Sequence, residues 1–303
     1  MSGLGGGSVV TDRLWRRFVI VTPYVWLLVF FLAPFAIVFK ISFADPIIGQ
    51  PPFTPLLDLS RGAAHHLQFS LDNYRFLGQD NLYWISYLKS IKIAAISTLL
   101  CLLIGYPMAY GIARARMPWR NILLLLVVLP FWTSFLLRVY AWMGMLGTYG
   151  VINNLLTALG FIDKPLHLLY TDGAVYIGIV YSYLPFMILP LYANLEKLDL
   201  DLHEAAADLG GRPLAVFRDV TLPLSMPGII AGSLLVFIPA VGEFVIPALL
   251  GGLDSLMIGR TLYDEFFVNR DWPLAAAVAT ILLLIVVVPF MVFQHYQVED
   301  TAS

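Results

Sequence analysis

The 303-residue sequence is 59% hydrophobic and only 13% charged, with a net charge of −2. A soluble domain of this size carries about 45–50% apolar and about 25% charged residues, so the composition points to a chain solvated largely by lipid. Its slightly acidic balance gives no footing for a nucleic-acid partner. The single cysteine, Cys101, excludes an internal disulfide and reads as a small buried hydrophobe.

The chain opens on a glycine-rich tail, residues 1–17, that carries Arg13, Arg16 and Arg17. An apolar stretch follows at 18–40. It exceeds the roughly 7–15 apolar residues of a signal peptide, so it is expected to stay as an uncleaved span, although Ser42-Phe43-Ala44 loosely resembles a cleavage site. The next loop, about 41–87, is long and proline-rich ("DPIIGQPPFTPLLDLS"). It reads as a packed external cap or partner surface, or as a disordered loop.

Further apolar stretches run over about 88–113, 121–145, 172–195, 228–250 and 273–295. Each reaches the roughly 20 residues a helix needs to cross the hydrocarbon core, and none alternates as a membrane strand does. The expected architecture is an all-α integral membrane protein: six transmembrane helices in one domain over 18–296, with a C-terminal tail at 297–303. No internal repeat is visible.

The third span carries Arg138 ("SFLLRVYAWMGML"). On insertion scales a charge at the bilayer centre costs about 2.5–3.5 kcal/mol, so it needs a reason. Arg138 either snorkels to the outer interface or serves a structural or gating role.

Between the fourth and fifth spans lies a charged stretch, 198–227, patterned as a helical elbow. Leu198, Leu202, Ala205, Ala206 and Leu209 recur at helical spacing, with Asp199, Asp201, His203, Glu204 and Asp208 on the other face. Gly210-Gly211 ends this helix, Pro213 opens a second one, and Leu222-Pro223 is expected to stop it. A helix lying on anionic lipid carries Lys and Arg on its polar face; this one carries acids, which suits a groove on a partner protein.

The fifth span carries Glu243 in "IPAVGEFVIP", flanked by Pro239, Gly242 and Pro247. Those residues interrupt helical hydrogen bonding, which is tolerated at membrane depth where backbone lines a cavity or is buried in protein. Glu243 therefore reads as lining a passage for a cation, or as half of a buried pair with Arg138. At about 1.5 Å per residue, Arg138 lies about 25 Å above Asn121 and Glu243 about 22 Å above Gly228, at similar heights. Trp132 and Tyr140 near the outer ends offer cation–π faces, and both also suit interface anchoring.

Six spans put both ends on one side. The tight turn "ARARMPWRN" and the N-terminal arginines place that side in the cytoplasm by the positive-inside rule.

The elbow is identified as similar to the EAA loop of ABC importer permeases. Glu204-Ala205-Ala206, then Gly210, then Val220-Thr221-Leu222-Pro223 follow that pattern at its spacing, with Val220 where isoleucine is usual. "NILLLLVVLPFWTSFLLRVYAWMGML", "VFIPAVGEFVIPALLGG" and "NRDWPLA" further resemble the polyamine branch, closest to its putrescine permeases with spermidine as the alternative passenger, over about 18–296. The resemblance implies the type I importer (MetI-like) fold and a bacterial inner-membrane location. It makes the elbow a coupling helix that docks on a cytoplasmic ABC ATPase dimer, with Glu204, Ala205, Ala206, Gly210, Val220, Leu222 and Pro223 at the coupling site. It also implies a second, related permease chain and a periplasmic polyamine-binding protein. No phosphate-cradling G-x-x-x-x-G-K-[ST] loop occurs, so ATP and Mg belong to the partner and this chain is expected to bind no cofactor or metal.

Three other readings compete. A permease for another small organic cation or solute fits the same features. An ion-driven secondary transporter predicts midplane coupling carboxylates and repeat symmetry, against one lone glutamate. An intramembrane enzyme needs a metal cluster or an activated nucleophile, and the spans hold neither.

Overall fold

The computed structural model describes residues 18–54, 69–199, 201–252 and 254–302. The N-terminal tail with its three arginines and the middle of the first outer loop lie outside them. Among the described residues the chain is helical, apart from one isolated antiparallel bridge between Pro46 and Phe53.

In chain order the helices are α1 Phe18–Ile41, α2 Asp72–Gln79, α3 Asn81–Arg114 and α4 Trp119–Trp132. Then come α5 Phe135–Leu146, α6 Val151–Ala158, α7 Asp172–Leu195 and α8 Asp201–Asp208. The chain closes with α9 Pro213–Leu224, α10 Met226–Val241, α11 Val245–Leu249, α12 Ile258–Tyr263 and α13 Trp272–Ala302. By length and composition four stretches among the described residues suffice to cross a membrane: α1, α3, Phe135–Ala158 and α7. Among the described residues a fifth is reached only if α9 and α10, which meet at 65°, are counted as one broken span.

Residues Asn81–Tyr263 form one compact unit, centred on α3, α7 and α10. Its core joins Cys101, Tyr106 and Ala109 of α3 to Met187, Ile188 and Leu191 of α7 and Val236 of α10. The large apolar residues left outward, such as Leu99, Leu103 and Leu126, face solvent that in a membrane is lipid. Lipid gives no hydrophobic drive between helices, so close backbone approach must supply the packing. Gly232 of α10 meets this need: a Cβ there would come within 2.8 Å of the Met187 sulfur.

The second unit joins Met1–Asp80 to Asp264–Ser303. In it α13 packs on α1 and α2. The described parts of the outer loop hold together: Asn73 donates to the Ser42 and Ala44 carbonyls, and Phe43 stacks on Phe69 at 4.3 Å.

Two expected spans are interrupted. Over 121–145, α4 tightens into a 3-10 turn at Leu129–Trp132, and Thr133 and Ser134 are extended before α5 begins. Pro130 has no N–H to give the helix, and the Thr133 amide and hydroxyl both close back on the Pro130 carbonyl instead. Over 228–250, α10 ends at Val241 and α11 restarts at Val245. A height counted along straight helices therefore holds for neither Arg138 nor Glu243.

The second elbow helix ends at Leu224, directly after Leu222-Pro223, as its sequence leads one to expect. A π-turn at Phe217–Thr221 precedes the proline, with the Leu222 amide bonded to the Phe217 carbonyl. That widened turn seats Pro223 at the start of the next helical segment, where no donor is needed.

Candidate functional site

The break between α10 and α11 is held by the side chain of Glu243. A restarted helix exposes unpaired backbone amides at its first turn. The Glu243 Oε1 accepts from the Val245 amide at 3.0 Å and the Ile246 amide at 3.4 Å. Its other oxygen, Oε2, accepts from the Tyr183 hydroxyl of α7 at 2.5 Å. The chain of α12 presses on the back of the break: a Cβ on Gly259 would fall 2.3 Å from the Gly242 carbonyl oxygen, so only glycine fits there.

Glu243 is 8% exposed. Burying a carboxylate is costly unless hydrogen bonds replace its hydration. Here both oxygens are engaged, so the carboxylate is fixed in place with acceptor capacity remaining on each oxygen.

Glu243 faces a cavity of about 500 Å³ lined by Phe131, Phe135, Arg138, Ser182, Tyr183, Phe186, Pro239, Gly242, Phe244 and Val245. The two helix breaks build it together, since Phe131 and Phe135 flank the break after Pro130 and Glu243 sits in the other. The Arg138 guanidinium lies over the rings of Phe131 and Phe135, at 5.2 and 5.7 Å. Its Nε and Nη1 are buried without a hydrogen-bond partner, so Arg138 does not pair with Glu243 through those atoms. Rings and a fixed carboxylate form a setting for an organic cation: the carboxylate accepts N–H groups, and aromatic faces hold both charge and hydrocarbon.

Trp132 and Tyr140, also candidates from the sequence, are 74% and 52% exposed and do not line the cavity. Tyr183, Phe131, Phe135, Phe186 and Phe244 do line it and escaped the sequence reading. Helices apolar on every side show no face by periodicity, so nothing marked which of their rings turn inward.

The elbow forms a separate surface. Gly210 takes φ +85°, and the Gly210 and Gly211 amides bond to the Ala207 and Ala206 carbonyls, closing α8. Glu204 and Ala205 are exposed and Ala206 is half-buried. Leu209 and Leu214, at 90% and 79% exposure, stand beside them. On α9, Arg218 pairs with Asp219 at 2.7 Å and holds that carboxyl below its usual pKa.

The far side of α9 is rooted in the helical core. Phe217 and Leu222 pack against it, and Phe217 meets Tyr106 edge-on at 5.6 Å. The Tyr106 hydroxyl is 2.9 Å from Ser225 Oγ, at the bend into α10. Val220 is half-buried and Pro223 exposed. Phe217 and Ser225 thus join α9 and the bend after it to Tyr106 of α3.

A family model described as "Binding-protein-dependent transport system inner membrane component" matches residues 101–299. The spermidine/putrescine transport system permease protein PotB of Haemophilus influenzae is 39% identical over 290 residues, covering 95% of each chain. A crystal structure of a bacterial ABC transporter that imports the acidic polysaccharide alginate shares the fold over 94% of this chain and 96% of its own, with TM-score 0.69 and 17% identity. A bacterial alginate ABC transporter in complex with an alginate pentasaccharide-bound periplasmic protein matches over 91% and 92%, with TM-score 0.62 and 19% identity.

Proposed function

The chain belongs to the binding-protein-dependent transport system inner membrane components and, among them, to the polyamine ABC permeases; from that membership we propose that it lines the path by which putrescine crosses the inner membrane. It is a multi-pass permease subunit, not an enzyme.

The observation that carries the reading is Glu243, a buried carboxylate fixed by Tyr183 and two backbone amides against a cavity walled by aromatic rings. One ammonium of the passenger bonds to Glu243, and its hydrocarbon lies on the rings of Phe186 and Phe244. Putrescine, with a short chain between two ammonium groups, fits this arrangement.

Around that path we read six spans with both termini cytoplasmic, the sixth being α13. The elbow, 198–227, is the coupling element: Glu204, Ala205 and Ala206 meet a groove on an ABC ATPase dimer, and Gly210 sets the turn. Val220, Leu222 and Pro223 carry the stroke into the spans. ATP and Mg are bound by that partner. A second, related permease chain completes the pore, and a periplasmic binding protein delivers the amine to the outer face. The alginate transporter bound to its periplasmic protein supports this last reading by fold.

Uptake of labelled putrescine and spermidine tests the proposal, in cells that lack their own polyamine importers and express this chain with its transporter partners. Both amines should accumulate, putrescine preferentially. Accumulation of neither above the empty-vector control removes the reading.

A further inference from the structure

We propose that Arg138 sets an upper limit on the charge of the passenger, so that the cavity holds a diamine more tightly than a triamine. The inference rests on the reading of Glu243 as the ammonium anchor. Among the described residues lining the cavity, the acidic and basic side chains are Glu243 and Arg138, of opposite sign. The carboxylate balances one ammonium. Every further ammonium is opposed by the guanidinium.

Two of the guanidinium nitrogens, Nε and Nη1, are buried and reach no acceptor. It also occupies ring faces that a passenger would otherwise use, lying over Phe131 and Phe135 at 5.2 and 5.7 Å. Tyr183 is committed to Glu243 through its hydroxyl. Phe244 is stacked on Tyr263 at 4.8 Å and Phe186 meets Phe131 edge-on at 5.3 Å, so little free ring face is left to offset the guanidinium for a further ammonium. Arg138 lines the same cavity as Glu243, and a further ammonium held about 10 Å from it still feels its charge. At that range, and at the effective dielectric of a protein interior, one extra positive charge weakens binding by about tenfold.

The test is equilibrium binding of labelled putrescine and spermidine to the assembled transporter in lipid nanodiscs, without the binding protein, whose own selectivity would mask the effect. Arg138→Met removes the charge and keeps most of the length; Arg138→Lys keeps the charge. The ratio of spermidine to putrescine dissociation constants should fall about tenfold in Arg138→Met and stay near wild type in Arg138→Lys. An unchanged ratio in Arg138→Met, or an equal fall in both variants, overturns the proposal. Arg138→Gln repeats the measurement if the methionine variant does not assemble. Failure of both neutral variants while Arg138→Lys assembles makes the charge structural and also overturns it. Glu243→Gln separates the two readings: if it leaves the binding of both amines intact, the anchor itself is wrong. If it weakens both while Arg138→Met leaves the ratio unmoved, only the charge limit fails.

Discussion

The Tyr183 hydroxyl donates to Glu243 Oε2 at 2.5 Å, joining the middle of one long helix to the break in another. This bond fixes the carboxylate relative to Phe186, which lies on the same helix as Tyr183 with their ring centres 6.0 Å apart. Tyr183→Phe removes the donor and keeps the ring. A hydrogen bond to a charged group is worth about 1.5–3 kcal/mol. Putrescine uptake should fall about tenfold, with normal amounts of the chain in the membrane. Uptake equal to wild type would mean that the backbone amides alone position Glu243.

The exposed elbow makes a second prediction. Glu204→Lys reverses a charge on the exposed face of α8 and leaves the buried side of α9 untouched. In the assembled transporter it should abolish passenger-stimulated ATP hydrolysis and uptake together while the chain still reaches the membrane. Full uptake with Glu204→Lys would show that α8 does not meet the ATPase through this face.

Arg120 makes a third. It pairs with Glu196 at 2.7 Å and also donates to the Ala113 and Ala115 carbonyls at the end of α3. The ion pair is partly exposed, so it contributes only about 0.5–1 kcal/mol. Most of the value of Arg120 lies in satisfying the orphan carbonyls. Thermal unfolding in detergent should show Arg120→Ala costing clearly more than Glu196→Ala. Equal losses would assign the whole effect to the ion pair.

Orientation is accessible through exposed single cysteines. Cys101 is fully buried and leaves little background, while Met117 and Phe161 are 66% and 73% exposed. With both termini cytoplasmic, Phe161→Cys should react with an impermeant maleimide added to intact cells, and Met117→Cys only after the membrane is opened. The reverse pattern inverts the topology.

The turn at Gly210 and the restart at Pro213 were legible in the sequence because each residue has a backbone requirement that acts locally. Pro239, Gly242 and Pro247 marked the interruption around Glu243 in the same way. The interruption at Thr133 was hidden, since a lone Pro130 in an apolar run reads as a tolerated kink. The cavity walls were hidden for another reason. Phe131, Tyr183 and Phe186 differ from their lipid-facing neighbours only in what they meet across the bundle, and in lipid both environments accept the same side chains. Trp132 and Tyr140 show the converse: aromatic character near an outer end does not tell which rings line this cavity.

The most direct test is the rate of labelled putrescine uptake by Glu243→Gln and Glu243→Asp, measured across a range of putrescine concentrations in cells lacking other polyamine importers. Glutamine keeps the shape and removes the charge. The account predicts a loss of at least tenfold in Glu243→Gln, with partial recovery in Glu243→Asp and unchanged membrane abundance in both. Uptake by Glu243→Gln equal to wild type at every concentration would contradict it, and would leave the carboxylate as a cap for the restarted helix.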